Sequence, residues 1–505
     1  MRVYDSCRFA IKIVFLGFIL IAIGTFLQNE SVNIFYTFKS VVILFLADWS
    51  YKLGSIIINN IPIIFMLNIV CKRANSGYPV VLAVVGYFTF IIVTSLFSNS
   101  TLASTAYLQV GASMFNTGGT GKLPLETGLI GSFIVAYLTR LSFIRSRHNT
   151  SYNLLGFLNK DTAGIIYNVL LCGFSGFIVS YVWPFVFNYL QFLITFISND
   201  LADPLRIALY GVLDRLLSIF NLNTIIRQPF WYSTQGGSLQ TISGQYIIGD
   251  VNIWNTIRNT NQAYAGAGRF ITPFYVINMF IIPGIYASIL FLMNDKQERK
   301  KYFIPISLGI ILSFIFGNPL PIEFMLLFTS PLLFVMYLLI VGTVFYLLSS
   351  LNIFLGSSVI SGTTLTAMPG NFPDFIINLR NINYISILGQ ILIVGLISFI
   401  IIVFACYIYF RFLSYDIART GKTKDFSVDI INSVGGVENI KEVGAGFLKV
   451  CLHLVDLEKV DVNQIQELDI HRVTETRDGI DIECGSSCVM IVATIKDIIK
   501  KNTKK

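Results

Sequence analysis

Charge is scarce in this sequence. Only 13% of its 505 residues are Asp, Glu, Lys or Arg, where a soluble domain carries roughly a quarter. The deficit is uneven. Between Phe303 and Pro373 the only charged residue is Glu323, whereas charges are dense from Gly421 to Lys505. A single soluble globular domain is thereby excluded, and the chain divides into a lipid-embedded part and a water-exposed part. Cysteine offers no framework either. The seven cysteines form no CxxC pair, which argues against a disulfide scaffold or a structural zinc site. Cys172 and Cys406 read as small apolar filler within helices. No metal or cofactor is expected. A small-x-small cleavage pattern is also missing after the first apolar run, 9–27, so that run reads as a first spanning or amphipathic helix, not a signal peptide.

What is present is length and apolarity. Hydrophobic residues make up 54% of the chain, and a spanning helix needs about 20 of them in sequence. Candidate spans are 9–27, 55–70, 79–97, 128–138 with its flanks, 165–197, 270–293, 303–316, 324–348 and 385–413. The expectation is a polytopic α-helical membrane protein with eight to ten spans. Three apolar segments are broken by Gly, Pro or Asn: 57–65 (IINNIPIIF), 223–232 (NTIIRQPFWY) and 317–324 (GNPLPIEF). Irregular backbone at membrane depth survives only where it is buried in protein or lines a cavity, and membrane transporters build binding sites from such interrupted segments.

The net charge of +8 does not point to nucleic acid. The basic residues cluster between apolar runs, at Lys72-Arg73, Arg140 to Arg147, Lys296 to Lys301 and Arg411 to Lys424. The positive-inside rule places all four clusters in the cytoplasm, and both termini with them. The partner these clusters imply is the lipid bilayer. The domains expected are a membrane part at 1–414, a linker at 415–426 and a small cytoplasmic domain at 427–505. In the tail, 447–455 reads as a strand, 462–468 with Asp461 before it as a short helix, and 494–502 as a closing helix. Gly485-Ser486-Ser487 reads as the turn of a hairpin between 479–484 and 489–493. The tail is therefore expected to be α+β.

The order of several motifs resembles a known family. In the membrane part these are Asn60-Ile61-Pro62-Ile63-Ile64-Phe65, Val84-Val85-Gly86-Tyr87, Glu126-Thr127-Gly128, Tyr210-Gly211 with Asp214-Arg215-Leu216-Leu217, Pro229-Phe230-Trp231, Gly268-Arg269-Phe270, Pro321-Ile322-Glu323-Phe324 and Ser330-Pro331-Leu332-Leu333. In the tail they are Gly435-Gly436-Val437-Glu438-Asn439-Ile440, Lys459-Val460-Asp461 and Gly485-Ser486. Together they resemble the glucose/maltose/N-acetylglucosamine group of the phosphoenolpyruvate-dependent sugar phosphotransferase system, an enzyme IIC permease fused to an enzyme IIB domain. The resemblance implies a homodimeric permease of the bacterial cytoplasmic membrane. It also implies that a IIB cysteine takes a phosphoryl group from enzyme IIA, supplied in trans, and passes it to the sugar.

The departures from that pattern are informative. Gly446 stands where the resemblance places the reactive cysteine, followed by Leu448, Lys449 and Cys451 where Thr, Arg and Arg are usual. Glycine cannot be a nucleophile. Cys451 is the substitute to weigh, against its being a buried strand residue, and Cys484 and Cys488 face the same question. In the permease, Asn223 and Thr224 replace the family's histidine segment, and Pro319-Leu320-Pro321 replaces Thr-Glu-Pro. Glu323 remains, and an intramembrane acid marks a substrate path by default. It is the first substrate-binding candidate, the alternative being a structural carboxylate near Asn318. Asn223, Thr224, Trp231 and Arg269 complete the candidates. Trp231 is a stacking surface or an interfacial anchor, and Arg269 a phosphoryl-site cation or a helix-start anchor. Three readings follow: a phosphorylating sugar permease; a non-phosphorylating facilitator or membrane sensor; and a permease borrowing a IIB domain from another protein.

Overall fold

The computed structural model describes residues 2–28, 41–73, 77–97, 125, 127–148, 160–242, 244–260, 264–357, 369–413, 423–468, 470 and 472–502. Residues 415–422 of the expected linker, and Glu126, lie outside them. The membrane part begins with α1 (Arg2–Gln28), α2 (Val41–Asn59), α3 (Ile61–Arg73), α4 (Tyr78–Phe97), α5 (Gly128–His148) and α6 (Lys160–Ser198). Two short helices follow, α7 (Pro204–Ile219) and α8 (Thr224–Tyr232), then a small hairpin of β1 (Ser238–Gln240) and β2 (Tyr246–Ile248), and α9 (Asp250–Thr260). It closes with α10 (Thr272–Val276), α11 (Ile282–Leu292), α12 (Lys296–Phe314), α13 (Leu320–Thr329), α14 (Pro331–Ser350), α15 (Phe372–Leu379) and α16 (Ile385–Ile408).

Seven helical runs among the described residues are long and apolar enough to cross a membrane, fewer than the eight to ten expected. The differences have local causes. Segment 324–348 is not one helix: Pro331 lacks an N–H and disfavours helical backbone at Ser330, whose φ/ψ of −145°/73° separates α13 from α14. Segment 303–316 is the latter half of α12, whose first turns hold the Lys296–Lys301 cluster. Segment 55–70 breaks at Asn60, between α2 and α3. α2 as a whole does not stand out in the sequence, because Asp48 and Lys52 interrupt its apolar run. The two lie one turn apart and pair at 2.7 Å, which offsets their charges.

The run Thr272–Leu292 is the most buried of the seven, with 72% of an 18-residue stretch buried against 22% in α6. It is continuous through a π-turn at Ile277–Ile281, just ahead of Pro283, which cannot donate a helical hydrogen bond. There Asn278 donates to the Pro369 carbonyl (2.9 Å), and Ser313 donates to the Asn278 carbonyl (2.7 Å). α6 is the opposite case. Its 39 residues reach about 58 Å at about 1.5 Å each, and Phe174, Phe185 and Phe192 stay exposed along it. α14 and α16 likewise expose Leu339, Ile400 and Phe404. In water such faces would be association patches; in a bilayer they face lipid.

The tail is an α+β unit, as expected. A sheet of order β3-β4-β6-β5 is antiparallel throughout: β3 (Ile440–Ala445), β4 (Lys449–Leu454), β5 (Arg472–Thr476) and β6 (Gly479–Glu483). Helices α17 (Thr423–Ser433), α18 (Val462–Glu467) and α19 (Cys488–Asn502) complete it. α17 starts inside the expected linker range. Gly435 and Gly436 end that helix with φ near +90°, and the Gly436 N–H donates to Ile431 (2.8 Å), a closure that needs residues without a Cβ. Asp461 caps α18 through the Gln464 N–H. The expected hairpin is corrected. β6 pairs with β5 across Arg477-Asp478, and Gly485–Ser487 is a single 3-10 turn leading into α19. The apolar run 489–493 is not a strand because Ile491, Val492 and Ile495 bury one helical face against the sheet.

Candidate functional site

Four charged side chains meet inside the membrane part. α7 carries Asp214 and Arg215, α8 carries Arg227 and α13 carries Glu323. All are almost fully buried. Asp214 accepts from both arginines, at 2.6 Å from Arg227 Nε and 2.6 Å from Arg215 Nη2. Arg215 also donates to Glu323 Oε1 at 3.3 Å and to Ser218 Oγ at 3.0 Å. Tyr337 of α14 donates to the same Glu323 oxygen at 2.5 Å. Ser218 is one turn beyond Asp214 and donates back to its carbonyl. The guanidinium groups also lie against aromatic faces, Arg215 over Phe274 at 5.0 Å and Arg227 over Trp231 at 4.7 Å. An unpaired charge here would be very costly to bury. Two carboxylates against two guanidiniums make the cluster neutral.

A cavity opens beside it. It has about 580 Å³ of empty space, the open solvent of its mouth included. Its polar wall comprises Arg215, Ser218, Asn221, Asn223, Arg227 and Asn318, and Phe18 and Phe274 supply apolar surface. The lining comes from the interrupted segments. Asn221 turns the chain between α7 and α8 with φ +57°, and Gly317 turns it between α12 and α13 with φ +69°, conformations that suit Asn and Gly. The Asn318 carboxamide caps the following turn by accepting from the Leu320 N–H at 3.2 Å.

The sequence candidates divide around this cavity. Asn223 lines it, and Thr224 follows as the first residue of α8. Glu323 stands behind it, holding Arg215. Trp231 is fully buried, with its indole N–H donated to Tyr210 Oη at 2.8 Å and Arg227 against its ring. Arg269 is elsewhere. It donates to the carbonyls of Gly266 (2.8 Å), Ala265 (3.0 Å) and Leu201, and so ties the turn before α10 to the segment after α6. Asp250 pins the same turn through the Gly268 N–H at 2.8 Å. Asp214, Arg215 and Arg227 received no role from sequence, although each is a charge in an otherwise apolar stretch. That signal could have singled them out. Their pairing with Glu323 could not be read, because 108 residues separate Arg215 from it.

In the tail, Gly446 lies in the turn between β3 and β4, and Cys451 lies within β4 with its thiol beneath that turn. A Cβ built on Gly446 would be 3.0 Å from Cys451 Sγ. Burial, reinforced by the Asp481 carboxylate, pushes the Cys451 thiol up, with Lys449 only partly opposing it. Burial also raises Cys484, and raises Cys488 to about 12. Reactive cysteines need the reverse shift.

Residues 5–342 match the family described as Phosphotransferase system, EIIC. The match covers more than half of the chain and contains α7, α8, α13 and Tyr337, and so the whole buried charge cluster. The chain therefore belongs to the enzyme IIC permeases, the membrane proteins through which the phosphotransferase system moves sugars.

Proposed function

We propose that sugar binds in the cavity between α7, α8 and the α12–α13 turn, and crosses the membrane without being phosphorylated by this chain's own tail. The carrying observation is the cavity wall. Arginine, asparagine and serine groups line the cavity beside the neutral charge cluster, and Phe18 and Phe274 offer apolar surface to the C–H face of a ring. A neutral, hydroxyl-rich ligand suits that wall. Asn223 and the two arginines are the binding residues in this reading, and Glu323 positions Arg215. The substrate group is that of the glucose/maltose/N-acetylglucosamine permeases. The tail is a IIB-type domain without its nucleophile, the chain works as a homodimer, and the membrane is the bacterial cytoplasmic one.

Uptake tests this directly. Proteoliposomes holding the full chain are exposed to labelled hexoses and N-acetylhexosamines singly. In parallel, the full chain is incubated with phosphoenolpyruvate, the general phosphotransferase proteins and a panel of IIA proteins. The expected result is entry of an unmodified sugar and no phosphoryl label on the tail. A thiol-linked phosphate on Cys451, Cys484 or Cys488 would restore the phosphorylating reading.

A further inference from the structure

The edge of the tail that carries Gly446 is docked on the membrane part. The contact is made by the turn between α11 and α12 and the first turn of α12. Backbone N–H groups of Asn294 and Asp295 donate to the Ala445 carbonyl at 2.9 and 3.3 Å. Lys449 bridges Glu298 of α12 at 2.8 Å and Asp481 of the tail at 2.5 Å. His453 Nε2 meets Asp295 Oδ2 at 2.7 Å. Desolvation works against the Lys449 charge, but its hydrogen bonds to Asp481 and Glu298 outweigh this and raise its pKa. The lysine is a fixed cation.

Apolar contact accompanies the ion pairs. The Phe447 ring packs against Tyr302 of α12 at 5.2 Å between centroids. Phe447 and Val489 also join the packing of the membrane part's own core. Leu448 sits at φ +57°, a conformation costly for a branched side chain, and it lines an apolar cavity shared with Leu292, Met325 and Leu333. Surfaces built to separate and rejoin are more polar than permanent ones. This one puts Phe and Leu at the tip of the hairpin.

Two glycines make the approach possible. A Cβ on Gly444 would lie 2.7 Å from Asp295 Cβ and 3.0 Å from its Cα, closer than atoms in contact allow. A Cβ on Gly446 would lie 3.0 Å from Lys449 Cγ and 3.2 Å from Glu298 Cγ, so a side chain there presses on both partners of the ion pair. The position that lacks a nucleophile is thus one where the docked state favours no side chain.

We propose that the tail is a permanently docked clamp, latched by Lys449–Glu298 and His453–Asp295, that holds the α11–α12 turn and the α13–α14 corner in place. It is an interaction module whose partner is this chain's own membrane part, and it covers that face against any separate carrier domain. The inference does not depend on which sugar is bound. α13 gives the clamp its reach: Leu320 lines the polar cavity at one end of that helix, while Met325, Leu326 and Thr329 line the tail contact towards the other.

The test is hydrogen exchange on the purified full chain in lipid nanodiscs, comparing wild type with Gly444→Val and Glu298→Lys. The first variant changes the tail and the second changes the membrane part, so a folding defect in either does not decide the outcome. Exchange within β4 and β6 monitors the tail's own fold. The expected result is exchange about tenfold or more faster in residues 294–302 and 325–333, with β4 and β6 still protected. Unchanged exchange in both segments for both variants overturns the clamp. Faster exchange in 294–302 alone overturns its hold on the α13–α14 corner.

Discussion

Two clusters of opposite charges stand out among the described residues, and they differ in what surrounds them. Asp214, Arg215, Arg227 and Glu323 are enclosed on α7, α8 and α13, with aromatic faces against both guanidiniums. Lys449, Glu298, Asp481 and His453 keep some contact with water, Asp295 is buried, and the five join two regions of the chain. Burial sets the cost of losing a partner. Inside the membrane, a single missing charge strands another in a low-dielectric interior. At the tail a stranded charge is partly rehydrated, so removing one partner loosens the docking without unfolding either side. The first cluster suits a fixed cavity wall and the second suits a latch.

The sharpest way to break this comparison is Asp214→Asn. It removes the anion shared by both arginines and leaves one carboxylate for two buried cations. Breaking a buried pair costs about 3–5 kcal/mol, so the thermal midpoint in detergent should fall markedly and sugar binding should be lost. An unchanged midpoint would mean that water reaches the cluster. A finer contrast separates positioning from binding. Glu323→Gln keeps the acceptor for Tyr337 but weakens a charged hydrogen bond worth roughly 1.5–3 kcal/mol, so both midpoint and affinity should drop. Asn223→Ala removes one cavity-wall donor worth roughly 0.5–1.5 kcal/mol. It should raise Kd by a few-fold to about tenfold with the midpoint unchanged. If Glu323→Gln lowers affinity alone, the carboxylate touches sugar directly.

The smallest effect is in pH. Burial disfavours the Asp295 carboxylate, but hydrogen bonds from the Glu298 and Gln297 N–H groups and from His453 hold its pKa below the usual range. A depressed carboxyl pKa adds stability above its unfolded value, about 3.9, and loses it as pH falls through the folded value. Asp295's share of tail docking should therefore be constant from neutral pH down to about pH 4 and weaken below that, as read by exchange in residues 294–302. Loss of that share above pH 5 would assign the docking to other groups.

Much of the layout was legible from sequence for simple reasons. Apolar length marks spans, and charge density marks the tail. Segments such as 223–232 and 317–324 declared themselves through Gly, Pro and Asn. Boundaries were harder. α2 hid behind Asp48 and Lys52, whose charges cancel only once a helix brings them a turn from each other. The run 489–493 looked like a strand because a short apolar stretch fits either period. Packing against the sheet decided for helix.

By itself the sequence determined that this chain lives in a membrane and where its breaks fall. These follow from residue type and local order. Only the tertiary structure decided that Glu323 faces Arg215 instead of the cavity, that Arg269 ties a turn, and that Gly444 and Gly446 are the contact points of a docked tail. Each of those depends on which residues, far from each other in the chain, the packing of helices brings within about 3 Å, the reach of a hydrogen bond. Periodicity and composition carry no information about that distance.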